Sequence, residues 1–166
     1  TPSIPVSGTL LREPSWEATL LEPQYWQRSA HIGGNVNSPG GADGATWPVV
    51  GGGTSLWQDI EVVPGHIYRV QFALANSTAP VQVTWNGAEI GTAQVPADEI
   101  FYWHWVEFTV LADTPSVRVL FKNLGSPLHQ IALDAFSIVD LTAAPAISSQ
   151  PASVSVVAGG TAAFFV

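Results

Sequence analysis

Aromatic and polar side chains alternate on the polar sides of three predicted strands. These outward positions hold two tryptophans, three carboxylates, an arginine and an amide: Trp57, Asp59, Glu61, Arg69, Gln71, Trp105 and Glu107. A flat ring beside hydrogen-bonding groups suits a ligand with apolar ring faces and a rim of hydroxyls, as in a sugar. If the three strands share one concave sheet, we expect an aromatic and polar groove. The alternative is that a loop or a partner domain covers Trp57 and Trp105.

A glycine-rich stretch from Ser29 to Gly53 is predicted to be a long loop. Long loops in compact domains commonly carry function. Trp47 lies inside it and is therefore a further candidate ligand contact, or else a lid over the core. Trp85 and Trp103 are assigned to the core, because they share the parity of the apolar positions in their strands.

The sequence excludes several chemistries. It contains no cysteine, so disulfides, thiolate nucleophiles and cysteine-bound zinc are absent. The four histidines have no metal-ligand spacing, and no Gly-x-Ser-x-Gly turn is present. An enzyme would have to use a carboxylate pair of the glycosidase kind, with Asp59 or Glu61 facing Glu107.

Period-two alternation of apolar residues recurs along the chain and helical periodicity is nearly absent, which predicts strands. Tyr68, Val70 and Phe72 alternate with Arg69 and Gln71, and an Asn-Gly pair at 86–87 predicts a hairpin. Strands around 106–110 and 117–121 are expected to pair, and a last strand covers about 131–141. The predicted fold is all-β, an antiparallel two-sheet β-sandwich of the jelly-roll type. We expect seven residues to be buried: Tyr68, Val70, Phe72, Val83, Phe108, Val119 and Leu133.

The composition limits the classes of ligand and partner that the chain is expected to bind. The 166 residues are 46% hydrophobic and 11% charged, with a formal net charge of −8. A surplus of carboxylates argues against nucleic acid and against strongly anionic polysaccharides. No apolar run approaches the roughly 18 residues of a membrane helix, so we expect no membrane insertion.

The composition shifts to small residues after residue 142, and Ala143-Ala144-Pro145 is typical of a linker. We therefore predict a jelly-roll domain over 1–142. Residues 143–166 are predicted to be a linker and the truncated start of an immunoglobulin-like domain, or an extended tail on the first domain. Either interpretation implies a longer natural protein with further domains.

Six motifs in order resemble carbohydrate-binding modules of families 4, 9 and 22, which have a galactose-binding-like jelly roll. They are Arg12–Glu17, Ala42–Gly44, Leu56–Ile60, Val63–Phe72, Trp103–Val110 and Ile131–Ile138. The resemblance implies glycan binding without turnover, and it implies that Glu17 and Asp134 are ligands of a structural calcium ion. Since calcium takes about 6 to 8 oxygen ligands, backbone carbonyls, Asp43 and water would supply the rest. A hydrogen-bonded carboxylate pair is the alternative to calcium.

Three functional hypotheses remain from the sequence. The first is a non-catalytic module of a larger secreted or cell-surface bacterial protein that binds a neutral polysaccharide or glycan. The second is a structural or adhesive domain of a surface or filament protein, whose aromatic residues contact protein. The third is a small jelly-roll enzyme acting on glycosides.

Overall fold

The computed structural model describes residues 9–12, 25–30, 33–35, 41–42, 47–76 and 79–142. Over these ranges the secondary structure is β only, and no helix there could span a membrane. The strands are β1 Gln27–Arg28, β2 Gly33–Asn35, β3 Trp47–Gly51, β4 Ser55–Glu61, β5 Ile67–Ala75, β6 Val81–Trp85, β7 Ala88–Ala93, β8 His104–Leu111, β9 Ser116–Asn123 and β10 Gln130–Asp140.

The described residues form two five-stranded sheets. Sheet A has the order β1-β4-β9-β6-β7, and sheet B has the order β2-β3-β10-β5-β8. Neighbouring strands are antiparallel in both sheets. Their apolar faces pack on each other around one core, as in other sandwiches. The predicted two-sheet antiparallel jelly roll is confirmed.

Strand β5 shows how alternation creates this core. Tyr68, Val70 and Phe72 are almost completely buried, whereas the intervening Arg69 and Gln71 are only partly buried. Val83, Val119 and Leu133 are also fully buried, as predicted.

Phe108 departs from the prediction, since it is only partly buried. It lies on β8, the edge strand of sheet B, and packs against the core from there. A Cβ at Gly91 of β7 would overlap the Phe108 ring. The absence of a side chain at Gly91 therefore allows the edges of the two sheets to approach each other.

The hairpin predicted from the Asn-Gly pair is confirmed. Trp85 at the end of β6 pairs directly with Ala88 at the start of β7. Asn86 and Gly87 have φ values of 50° and 86°. These left-handed conformations are those that a two-residue type I′ turn requires, and they explain why asparagine and glycine occupy it.

The predicted pairing of β8 with β9 is wrong. Strand β8 pairs with β5 in sheet B, and β9 lies between β4 and β6 in sheet A. The turn at 113–115 therefore crosses from one sheet to the other. Alternation identifies the buried side of each strand, and both strands bury it in the same core, but alternation does not identify the neighbouring strand.

The predicted long loop over 29–53 is also wrong in part, because it contains the whole of β2 and β3. Strand β3 begins at Trp47 and pairs with β10, and β2 pairs with β3. Both strands are short and contain glycine or proline, which depress strand propensity. The contacts with β10 come from distant sequence, so local patterns did not indicate them.

Candidate ligand-binding faces of the two sheets

The groove predicted from three strands does not exist as one surface. Strand β4 carries Trp57, Asp59 and Glu61 in sheet A, whereas β5 and β8 are neighbours in sheet B. The outward side chains of the two sheets lie on opposite sides of the sandwich, separated by the core. The expectation that β4, β5 and β8 share one concave sheet is therefore wrong.

The remaining candidates come together on the outward side of sheet B. Cross-strand pairing arranges them in three rows: Asp134, Ala73 and Trp105; Ser137, Gln71 and Glu107; Val139, Arg69 and Thr109. Successive rows are about 7 Å apart, since each is two residues further along β5 and β8. We call these three rows the sheet B face. The face brings together Arg69, Gln71, Trp105 and Glu107, as the sequence predicted for these four residues.

The polar groups of this face are incompletely paired. Arg69 Nε lies 3.9 Å from Glu107 Oε2, too far for a hydrogen bond, and it is buried without an acceptor. The Trp105 side chain is 39% exposed. Among the described residues, neither Trp105 nor Gln71 makes a side-chain hydrogen bond. This part of the face therefore presents an open ring surface with available donors and acceptors.

A second apolar cluster closes one end of the same side of sheet B. Trp47 packs edge-to-face on Trp103, with ring centroids 5.8 Å apart, over Ala75 and Ala132. Trp47 is only 7% exposed. Trp47 is therefore a strand residue that supports the face. Its packing on Trp103 covers the ring surface that a ligand would have to contact. The prediction that Trp103 lies in the main core is wrong, because its cluster is outside sheet B. Trp85, in contrast, is in the core.

Asp134 lies in the same row as Trp105 and is completely buried. Its Oδ1 accepts a hydrogen bond of 2.8 Å from the backbone N–H of Ala135. Ala135 has a φ of 50° at the point where β10 shifts register against β5. The other predicted calcium ligands, Glu17 and Asp43, lie outside the described residues. Within the described residues, no group of three or more histidine, aspartate or glutamate side chains could hold a metal ion. The calcium site therefore stays a prediction.

The outward side of β4 and its neighbours, which we call the sheet A face, is paired within the protein. The Trp57 indole N–H donates to Gln27 Oε1 at 3.0 Å. Arg118 binds Asp59 through two hydrogen bonds of 2.7 and 2.8 Å, and its Cζ lies 5.4 Å from the Trp57 ring centroid. Hydrogen bonding from Arg118, with its charge, lowers the pKa of Asp59 below its ordinary value. The polar groups of Trp57 and Asp59 are thus already engaged.

Sequence reasoning missed one cavity, which opens beside the far half of β4. Its volume is about 440 Å³, and it is lined by Leu10, Arg12, Tyr25, Gln58, Asp59, Ile60 and Glu61. We call it the Arg12 cavity. Strand β1 pairs with β4 only at Leu56 and Trp57, so none of the described strands pairs with β4 beyond Trp57 on that edge. Arg12 and Tyr25 are far from β4 in sequence, and neither belongs to a periodic segment.

Comparison with known proteins gives structural matches only. No protein-family model and no curated protein sequence matches the chain. A family 61 carbohydrate-binding module in complex with β-1,4-galactotriose has a TM-score of 0.59 at 18% identity, covering 81% of this chain and 99% of that one. The CBM22-1 xylan-binding domain from Paenibacillus barcinonensis gives 0.53 at 15% identity, covering 78% and 93%.

A cyclase from Fischerella sp. TAU, in complex with 4-(1H-indol-3-yl)butan-2-one, gives 0.60 at 13% identity, covering 81% and 98%. The same fold therefore serves both binding and catalysis in other proteins, and function has to be argued from the site. At these identities the likeness concerns the fold, and at that level the resemblance seen in the sequence is confirmed. The chain has the jelly-roll fold of carbohydrate-binding modules.

Proposed function

We propose that this chain is a non-catalytic carbohydrate-binding module that holds a neutral glycan on the sheet B face. The observation that carries the proposal is Trp105, a partly exposed ring in the row next to Gln71 and Glu107, with Arg69 one row further. Trp105 supplies an apolar platform for a sugar ring. Gln71, Glu107 and Arg69 supply the donors and acceptors that sugar hydroxyls need.

Arg69 adds a specific reason for expecting a polar ligand here. A buried donor without an acceptor costs about 1–3 kcal/mol, and Arg69 Nε is such a donor. A ligand that draws the Arg69 and Glu107 side chains together would remove that penalty. Ligand binding would thereby complete a network that is unfinished in the free protein.

The charge of the chain favours a neutral ligand. The formal net charge is −8, and Glu107 offsets the positive charge of Arg69 on the face itself. An anionic polysaccharide would meet repulsion on approach and no unopposed cation at this site. We therefore propose a neutral polysaccharide or oligosaccharide as the ligand.

We propose that the bound glycan is not hydrolysed. The only carboxylate pair that the sequence offered for glycosidase chemistry requires Asp59 or Glu61 to face Glu107. These side chains project from different sheets, on opposite sides of the sandwich. Two carboxylates in a glycosidase must flank one bond at about 5–9 Å, so this pair does not serve.

The context of the module is proposed on the sequence alone. We propose that it belongs to a secreted or cell-surface bacterial protein with further domains, the first of which begins within residues 143–166. A structural calcium ion bound by Asp134 together with Glu17 and Asp43 is proposed in the same way. The buried carboxylate of Asp134 is consistent with an oxygen ligand of calcium.

Two tryptophan variants test the proposal. A panel of neutral oligosaccharides, including β-1,4-galactotriose and xylotriose, is titrated by calorimetry into the wild type, Trp105→Ala and Trp57→Ala. Removing a stacked ring costs about 1–3 kcal/mol, or roughly 5- to 150-fold in affinity, so Trp105→Ala should lose that much affinity at the sheet B face. Trp57→Ala, the matched control on the sheet A face, should stay within twofold. Absence of binding across the panel would favour the structural or adhesive alternative, and hydrolysis that Glu107→Gln abolishes would favour an enzyme.

A further inference from the structure

We infer that the Arg12 cavity is a second carbohydrate site, independent of the sheet B face. The inference depends on the proposed function, because it assumes that the chain binds neutral glycans. Its basis is separate, however, since none of the residues lining the cavity belongs to sheet B. A volume of about 440 Å³ lies within the range of roughly 300–1,000 Å³ typical of small-ligand pockets.

The wall of the cavity is held in place by a buried side chain. Gln58 is only 4% exposed. Its Oε1 accepts from the backbone N–H of Arg12 at 2.9 Å, and its Nε2 donates to the Arg12 carbonyl at 3.0 Å. This pair of hydrogen bonds joins Arg12 to β4 across 46 residues of sequence. The backbone of Arg12 is thus held in place before any ligand arrives, which lowers the ordering cost of binding.

Arg12 is unusual among the arginines of the described residues. Arg118 is paired with Asp59, Arg69 lies near Glu107, and Arg28 has a partner. Arg12 has no carboxylate partner among the described contacts, and its Cζ instead lies 5.0 Å from the Tyr25 ring centroid. The guanidinium therefore keeps its hydrogen-bond donors available while its Cζ lies over an aromatic ring.

The rest of the lining complements these donors. Tyr25 is 40% exposed and Leu10 is likewise 40% exposed, so they offer apolar surface. Glu61 is exposed and makes no ion pair or side-chain hydrogen bond within the described part of the chain. Asp59, at the same cavity, is neutralised by Arg118. An aromatic surface with a free donor group and a free acceptor group fits the hydroxyl rim and apolar face of a sugar ring.

The charges define the ligand class. The lining contains one cation, Arg12, and two carboxylates, Glu61 and Asp59, and Arg118 pairs with Asp59, so these four groups together have no net charge. A neutral saccharide can accept from Arg12 and donate to Glu61 at the same time. We therefore assign a neutral mono- or oligosaccharide unit to this cavity.

Two sites of this kind have a consequence for long glycans. The Arg12 cavity and the sheet B face belong to different sheets, so a short oligosaccharide should not contact both. A trisaccharide is therefore expected to bind with two molecules per chain. A soluble polysaccharide should be cross-linked by the module, and this cross-linking should disappear when either site is removed.

Equilibrium dialysis with the same neutral oligosaccharide panel counts the sites. At the lowest oligosaccharide concentration that fills both sites of the wild type, we expect two molecules bound per wild-type chain. At that same concentration we expect occupancy to fall towards one molecule in Trp105→Ala and in Tyr25→Ala, and towards none in the double variant. Tyr25→Ala should weaken the cavity site at least about tenfold, the scale of losing an aromatic contact. Glu61→Ala provides a second variant that leaves the Arg12–Tyr25 packing intact. Tyr102→Ala is the matched control, since Tyr102 is 68% exposed and does not line the cavity.

The outcomes separate the two proposals. If wild type binds one molecule per chain and Trp105→Ala binds none, the second site is wrong while the proposed function stands. If Tyr25→Ala and Glu61→Ala both keep two sites, the cavity is not the second site. If no oligosaccharide binds the wild type, both proposals fail.

Discussion

Each sheet has a tryptophan on its outward face, and the two tryptophans differ in their hydrogen bonding. On the sheet A face, the Trp57 N–H is bound by Gln27, and Arg118 lies over its ring while pairing with Asp59. On the sheet B face, Trp105 has no hydrogen-bond partner among the described residues, and Arg69 Nε lacks an acceptor. An aromatic and polar composition therefore does not by itself define a binding site. A binding surface also needs polar groups that the protein has left available.

The same side of sheet B provides a second contrast. Trp47 is 7% exposed and packs on Trp103 over small alanines, whereas Trp105 is 39% exposed. One tryptophan therefore supports the surface and the other presents a ring at it. Both have the same residue type, and only the three-dimensional packing separates their roles.

The largest effect that this contrast predicts is on stability. Trp47→Ala should lower the free energy of unfolding by about 3–5 kcal/mol, because it leaves a cavity in a buried apolar cluster. Trp57→Ala should cost much less, since the Trp57 ring is only partly buried. Urea denaturation of the two variants measures the difference. Equal losses would show that the sheet A face depends on its tryptophan as strongly as the packed end of sheet B does.

Calcium removal is expected to have the next largest effect. If Asp134, with Glu17 and Asp43, binds calcium, the ion stabilises the folded state by about 2.7 kcal/mol at a free concentration 100 times its dissociation constant. Excess EDTA should therefore lower the melting temperature of the wild type and have little effect on Glu17→Gln. A wild-type melting temperature that chelation leaves unchanged, in protein free of trapped metal, would contradict the proposed ion.

Single hydrogen bonds to the glycan should have smaller effects. Gln71→Ala and Glu107→Gln should each weaken binding at the sheet B face by about 0.5–1.5 kcal/mol, roughly two- to tenfold. Asp59→Asn should leave this affinity unchanged, since Asp59 lies on the other face. Calorimetric titration with the oligosaccharide that binds wild type compares the three variants. A loss of affinity in Asp59→Asn equal to that in Glu107→Gln would contradict the separation of the faces.

The ion pair on the sheet A face should have the smallest effect. Arg118 lowers the pKa of Asp59 from its ordinary value of 3.8. Because the folded-state pKa is the lower one, the stabilisation is present above that ordinary value and is lost as pH falls through the folded-state pKa. Both side chains are nearly half exposed, at 48% and 46%, so the pair should contribute only about 0.2–1 kcal/mol.

A double-mutant cycle with Asp59→Asn and Arg118→Met, followed by urea denaturation at pH 7 and pH 2.5, isolates this contribution. We expect the coupling to shrink at the lower pH and also at high salt, since exposed charges are screened. A coupling that grows as the pH falls would contradict the assigned direction of the pKa shift.

The sequence predicted those parts of the fold that depend on local pattern. The alternation around Val70 placed Arg69 and Gln71 outside, and the Asn-Gly pair identified the β6–β7 hairpin. The order of motifs indicated the jelly roll. The alternation and the Asn-Gly pair each lie within a few residues, so one sequence is enough to detect them, whereas the order of motifs works through resemblance to a known family.

The parts that it did not predict depend on long-range pairing. The alternation of polar and apolar positions correctly placed Trp57 and Trp105 on the outward sides of their strands. It could not assign β4 to one sheet and β8 to the other. The strand at Trp47 forms through pairing with β10. The Arg12 cavity arises where Gln58 joins a segment 46 residues away. Local periodicity contains no information about such partners.

An NMR titration of wild type with the binding oligosaccharide tests the central claim most directly. The seven tryptophans give separate indole N–H signals, which single-tryptophan variants assign. We predict that the Trp105 signal shifts in a saturable manner, while the signals of Trp57, engaged with Gln27, and of Trp85 in the core stay in place. A saturable shift at Trp57 with none at Trp105 would contradict binding on the sheet B face.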